Sequence, residues 1–104
     1  MALRPPRGTA ALDPMRTGVN VLDHEIAGEM ASALGRAGER VAAALARLRP
    51  LELDDPARPA ALREAADAVY AYFIQRELCG LRRHDDAIRD YGIPRAVIAR
   101  LGAR

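Results

Sequence analysis

Apolar residues recur at helical spacing through most of this chain. Leu22, Ile26, Met30, Leu34, Ala37, Val41, Leu45 and Leu48 follow one another at steps of three or four, the period of one helix face. The pattern predicts a long amphipathic helix. It opens at Asn20, whose side chain can cap the first backbone N–H groups, and Pro50 ends it. Asp23, Glu25 and Glu29 lie in its first half and Arg36, Arg40, Arg47 and Arg49 in its second, which suits the helix dipole near each end. The interior Gly28, Gly35 and Gly38 each cost up to about 1 kcal/mol against alanine. Ala31, Gly35, Gly38 and Ala42 form a small-residue strip where another helix backbone can approach. A break at Gly35–Gly38 into two shorter helices is the competing pattern.

Pro50, Pro56 and Pro59, with Asp54 and Asp55, mark a connection, and Asp55 can cap a helix beginning at Pro56. The link is long enough for an antiparallel return. The second helix carries two stripes: Leu62, Ala66, Val69 and Phe73 on one side, and Tyr70, Ile74, Leu78, Leu81 and Ile88 roughly 100° around the axis. A helix apolar on two sides has two neighbours. Gly92 closes the pattern and a short helix restarts at Pro94, with Ile93, Val97, Ile98 and Leu101 facing inward and Arg95, Arg100 and Arg104 outward. All four aromatic residues lie between Leu62 and Leu101, so that stretch is the centre of the core.

The elements predict an all-α fold: two long antiparallel amphipathic helices plus a short C-terminal helix, completed into a bundle by dimerisation. Residues 1–18, interrupted by Pro5, Pro6, Gly8 and Pro14, fit no period and are expected to be a flexible basic tail before a single helical domain, 19–104. At 104 residues the chain has room for one core.

Composition adds little chemistry. Alanine supplies 22 residues, which favours helices in close contact. All 16 basic residues are arginine, and net charge is +2. Residues 17–75 hold six Arg against nine acids, whereas 76–104 hold seven Arg against four, leaving the C-terminal end the more basic. Cys79, the single cysteine, cannot form an internal disulfide and suits a buried structural thiol. With no membrane-length apolar run or signal-peptide pattern, a cytoplasmic location is expected, with no membrane contact.

His24 beside Asp23 and Glu25, and His84 beside Asp85 and Asp86, look like acid–base or metal clusters. Neighbouring residues on a helix point in different directions, however, and no metal-ligand spacing occurs. The histidines read as surface residues or helix-terminal hydrogen-bond partners. No catalytic, metal or cofactor-binding residue is assigned, and neither a cofactor nor a small-molecule substrate is expected.

Val21-Leu22-Asp23-His24-Glu25-Ile26, Gln75 to Arg82, and Tyr91-Gly92-Ile93-Pro94 together resemble a small bacterial family, catalogued as a domain of unknown function, from about Gly18 to Gly102. The resemblance implies a compact helical protein and carries over no catalytic residue. A narrower one covers Ala87 to Leu101, which is similar to a helix-turn-helix with Gly92 at the turn, although Ile88 stands where that motif wants a small residue. It implies Arg95, Ala96 and Ala99 near DNA bases, with Arg89 and Arg100 on phosphates.

The leading expectation is a non-enzymatic interaction or adaptor protein that self-associates or docks another protein through Tyr70, Ile74, Leu78 and Leu81. The alternative is a small DNA-binding protein using 87–101 through Arg89, Arg95 and Arg100.

Overall fold

The computed structural model describes residues 14–102, with side chains from Val21 onward. The described residues form an all-helical bundle of two long and two short helices: α1 (Pro14–Leu48), α2 (Arg58–Leu78), α3 (Asp85–Tyr91) and α4 (Arg95–Ile98). Helix α1 is continuous through Gly35 and Gly38. It begins at Pro14, six residues before Asn20, and so takes in 14–18 of the expected tail. Proline tolerates a first helical position because the N–H it lacks has no intrahelical partner there. The rest of that tail, 1–13, lies outside the described residues.

The C-terminal half of α1 buries Ala37, Val41, Ala44, Leu45 and Leu48 against Leu62, Ala65, Ala66, Val69 and Phe73 of α2. Val41, Leu45 and Val69 are fully enclosed, each side chain contributing about 1.5–3 kcal/mol by leaving water. Contacts along the pair join Arg47 to Glu64, Gly38 to Tyr72 and Met30 to Cys79. At 1.5 Å per residue, α1 upstream of Met30 therefore runs roughly 24 Å past the end of α2. The predicted stripe is thus buried along only part of its length: Leu22 is 56% and Ile26 51% exposed. The small-residue strip is also not the contact line, because Ala31, Gly35 and Ala42 are exposed and only Gly38 is buried.

The pattern that ran through Ile88 as one helix is broken after Leu78. Gly80 takes φ 91°, Leu81 N–H donates to the Arg76 carbonyl at 2.9 Å and Gly80 N–H to that of Glu77 at 3.0 Å. This paired closure satisfies the last carbonyls of α2 with a left-handed glycine. The device repeats at Gly92 (φ 64°), where Ile93 N–H bonds the Ile88 carbonyl and Gly92 N–H that of Arg89. Leu81 consequently stands in a loop, and half-buried Ile88 belongs to α3 and packs on the core. The start of α2 falls at Arg58, two residues after the expected Pro56. Asp55 does not cap it: Ala57 precedes the first turn without a side-chain cap bond, and Asp55 Oδ1 accepts the Ala57 N–H at 2.8 Å in the turn before the helix.

Helix α4 packs on α2 through buried Val97, while Ile93 is buried and Ile98 and Leu101 are half-buried. Tyr91 lies edge-on to Tyr72, ring centroids 5.4 Å apart, with its hydroxyl over Gly38. Burial raises the Tyr91 phenol above its ordinary 10.0, and the Tyr72 hydroxyl adds to the rise. The folded chain therefore holds this proton more tightly than the unfolded chain. Its stabilising contribution is complete below about pH 10 and declines as pH climbs through the raised value. Urea melts at pH 9 and pH 11 are expected to show a steeper alkaline loss for wild type than for Tyr91→Phe, and parallel curves would refute this origin.

Candidate functional site: the outer face of α2 and its arginine knot

Tyr70, Ile74, Leu78 and Leu81, singled out from the spacing of the second stripe, are all exposed. Tyr70, Ile74 and Leu78 lie on the side of α2 away from Val69 and Phe73, and Leu81 stands in the loop that follows. The C-terminal segment reaches the first of them, since a Cβ on Gly102 would sit 3.6 Å from Tyr70 Cε1. Beyond it, Ile74 is 41% and Leu78 64% exposed. Single exposed apolar residues are ordinary, but three on one side of a helix, with exposed Leu81 in the loop after it, make a surface of the kind used for docking.

The end of that patch is fixed by a buried arginine. Arg76 is 8% exposed, the one buried charged residue among those described. Its Nε–H donates to His84 Nδ1 at 3.0 Å, and Nη2 donates to the Arg83 carbonyl at 2.9 Å and to Asp86 Oδ1 at 3.1 Å. Its Cζ stands 5.8 Å from the Tyr72 ring centroid. Because His84 Nδ1 accepts from Arg76, the ring proton is assigned to Nε2, which donates to Glu77 Oε2 at 3.0 Å. The imidazole stacks on Phe73 with centroids 4.1 Å apart and planes 5° apart. The loop that carries Leu81 is thereby tied to α2 by its backbone closure and by the guanidinium fork.

This knot was not read from the sequence, though a signal for it was there. Arg76 continues the buried stripe Leu62, Ala66, Val69, Phe73 by one more step of three, so a charged residue was due on the inner face. His84 is a hydrogen-bond partner at the start of α3, and His24 is exposed. Cys79 is half-buried at the end of α2, its Sγ 3.9 Å from the Met30 carbonyl. Among the described residues no group of His, Cys, Asp or Glu is placed to hold a metal, and no helix is long and apolar enough to cross a membrane.

Arg89, Arg95 and Arg100 are exposed, and Arg104 lies outside the described residues. The segment expected to resemble a helix-turn-helix consists of α3, seven residues, and α4, four residues. One turn of α4 rises only about 6 Å, shorter than the groove-reading helix that the resemblance implies. Arg49 Nη2, from the end of α1, donates to the Tyr91 carbonyl at 2.6 Å and occupies the α3–α4 turn.

On the other side of the long-helix pair lies an open groove of about 510 Å³. It is lined by Ala43 and Ala44 of α1 and Ala68 and Ala71 of α2, together with Arg40, Arg47, Glu64 and Asp67. Short side chains on both helices leave this space unfilled.

The chain matches the family of unknown function DUF6665 over residues 1–104 and belongs to that family. No curated protein and no solved structure matches it.

Proposed function

We propose that this protein is a non-enzymatic helical interaction module that docks another polypeptide on the outer face of α2. The observation that carries the reading is the exposure of Ile74 and Leu78 beside a loop that buried Arg76 holds in place. A side chain that is apolar, exposed and backed by a fixed scaffold loses little entropy on docking. The long helices are taken as an antiparallel hairpin. That orientation is supported by contacts whose residue numbers rise on α2 as they fall on α1, from Arg47 with Glu64 to Met30 with Cys79. Tyr70 at the rim and Leu81 in the loop bound the docking face, and Ile74 and Leu78 are its centre.

The test is Ile74→Arg. The substitution places a charge at an exposed position and is expected to leave the circular-dichroism spectrum and melting temperature unchanged, while reducing capture of a protein partner by roughly tenfold or more. Capture retained in full by Ile74→Arg and by Leu78→Arg would end the outer-face reading. A mixed DNA duplex is the control ligand, and duplex binding lost with Arg95→Ala and Arg100→Ala would favour the C-terminal segment instead.

A further inference from the structure

A different face, on α1, carries charges whose order along the helix matches a second copy of the same chain. At 100° per residue, Leu22, Glu25, Glu29, Ala33, Arg36, Arg40 and Ala43 lie on one side of α1, with Ile26 at its edge. Acids occupy its N-terminal part and arginines its C-terminal part. Glu25, Glu29, Arg36 and Arg40 are all exposed, and none of them enters an ion pair among the described residues.

The order is symmetric under reversal. Glu29 and Arg36 are equally spaced about the Ser32–Ala33 peptide bond, as are Glu25 and Arg40, and as are Leu22 and Ala43. Turning a copy of α1 end for end about that point sets each acid opposite an arginine. Leu22 of the copy meets Ala43, on the alanine lining of the groove that Arg40, Arg47, Glu64 and Asp67 flank. Small Ser32 and Ala33 stand at the crossing point, where two helix backbones come closest.

We propose that a second copy of this chain pairs antiparallel with α1 about a two-fold axis at Ser32–Ala33. The exposed Leu22 of each copy seats on the Ala43–Ala44–Ala68–Ala71 groove of the other. Glu25 and Glu29 of each copy pair with Arg40 and Arg36 of the other. Such a contact is isologous and closes at two copies. It uses the stretch of α1 that runs past α2 and, between Leu22 and Ala43, extends for about 32 Å. A parallel pairing would set Glu29 against Glu29 and Arg36 against Arg36, so charge selects the antiparallel register. This surface is separate from the outer face of α2, and either can exist without the other.

Two charge-reversed chains test it, Glu25→Arg with Glu29→Arg, and Arg36→Glu with Arg40→Glu. All four positions are exposed, so both chains are expected to keep wild-type helicity, which circular dichroism reads directly. In sedimentation equilibrium the wild type is expected to be a dimer. Each reversed chain alone associates roughly 100-fold more weakly, and the equimolar mixture recovers a heterodimer because opposite signs face each other again. A wild-type monomer at every concentration tested would overturn the proposal. So would reversed chains that dimerise as well as wild type, or a mixture that stays monomeric. A dimer indifferent to these reversals but split by Ile74→Arg would transfer self-association to α2 and leave the outer-face reading standing.

Discussion

Replacing Arg76 with methionine is expected to lower stability by about 3 kcal/mol and the melting temperature by roughly 10–20 °C. Methionine has comparable length and fills the space beneath Tyr72, so the loss measures polar contacts more than packing. Three acceptors lose their donor: His84 Nδ1, the Arg83 carbonyl and one bond at Asp86. The first two belong to the loop between α2 and α3. Losing them releases that loop from α2, although the backbone closure at Gly80 persists. Asp86 is well exposed, so its ion pair with Arg76 is screened and contributes the smaller part. Arg76→Lys keeps the charge but cannot reach three acceptors in a fork, and is expected to recover less than half of the loss. Thermal melts of the three chains decide the point. Equal melting temperatures for wild type and Arg76→Met would mean that the knot follows from the fold and does not hold it.

The same residue shows how far the sequence could be read. Stripes on α1 and α2 were legible because a buried helix face repeats every three to four residues whatever its partner is. Leu62, Ala66, Val69 and Phe73 accordingly lie against Val41 and Leu45, as spaced. Arg76 sits on that same stripe, but periodicity ranks a charged residue as outward and cannot weigh a guanidinium with three waiting acceptors. The outer stripe was legible too, since Tyr70, Ile74 and Leu78 follow helical spacing and all three are exposed. Where it ends was not, because Leu81 and Ile88 keep the helical step across a left-handed Gly80 that breaks the helix. A glycine inside a helix and one closing it look alike in sequence. Only the bonds from Leu81 and Gly80 back to Arg76 and Glu77 tell them apart.

Gly35 and Gly38 are both interior glycines, yet the same substitution is expected to have opposite signs three residues apart. Both lie inside continuous α1, where alanine is favoured over glycine by up to about 1 kcal/mol. A Cβ at Gly35 meets nothing within 4 Å, so Gly35→Ala is expected to stabilise by nearly that amount, raising the melting temperature by roughly 4–8 °C. A Cβ at Gly38 would collide with the Tyr91 hydroxyl and touch Tyr72 at 3.5 Å. The Tyr91 ring has little freedom to withdraw, since Tyr72 packs against it edge-on and Arg49 holds its carbonyl. Overpacking there costs about 1–3 kcal/mol and outweighs the propensity gain, so Gly38→Ala is expected to destabilise. Removing the hydroxyl removes the obstacle. In the Tyr91→Phe background, Gly38→Ala should become neutral or stabilising, and a double-mutant cycle isolates that coupling from the separate cost of each change. If Gly38→Ala stabilises in both backgrounds, the tyrosine moves aside freely, and the close approach of Tyr91 to α1 is not what selects glycine at this position.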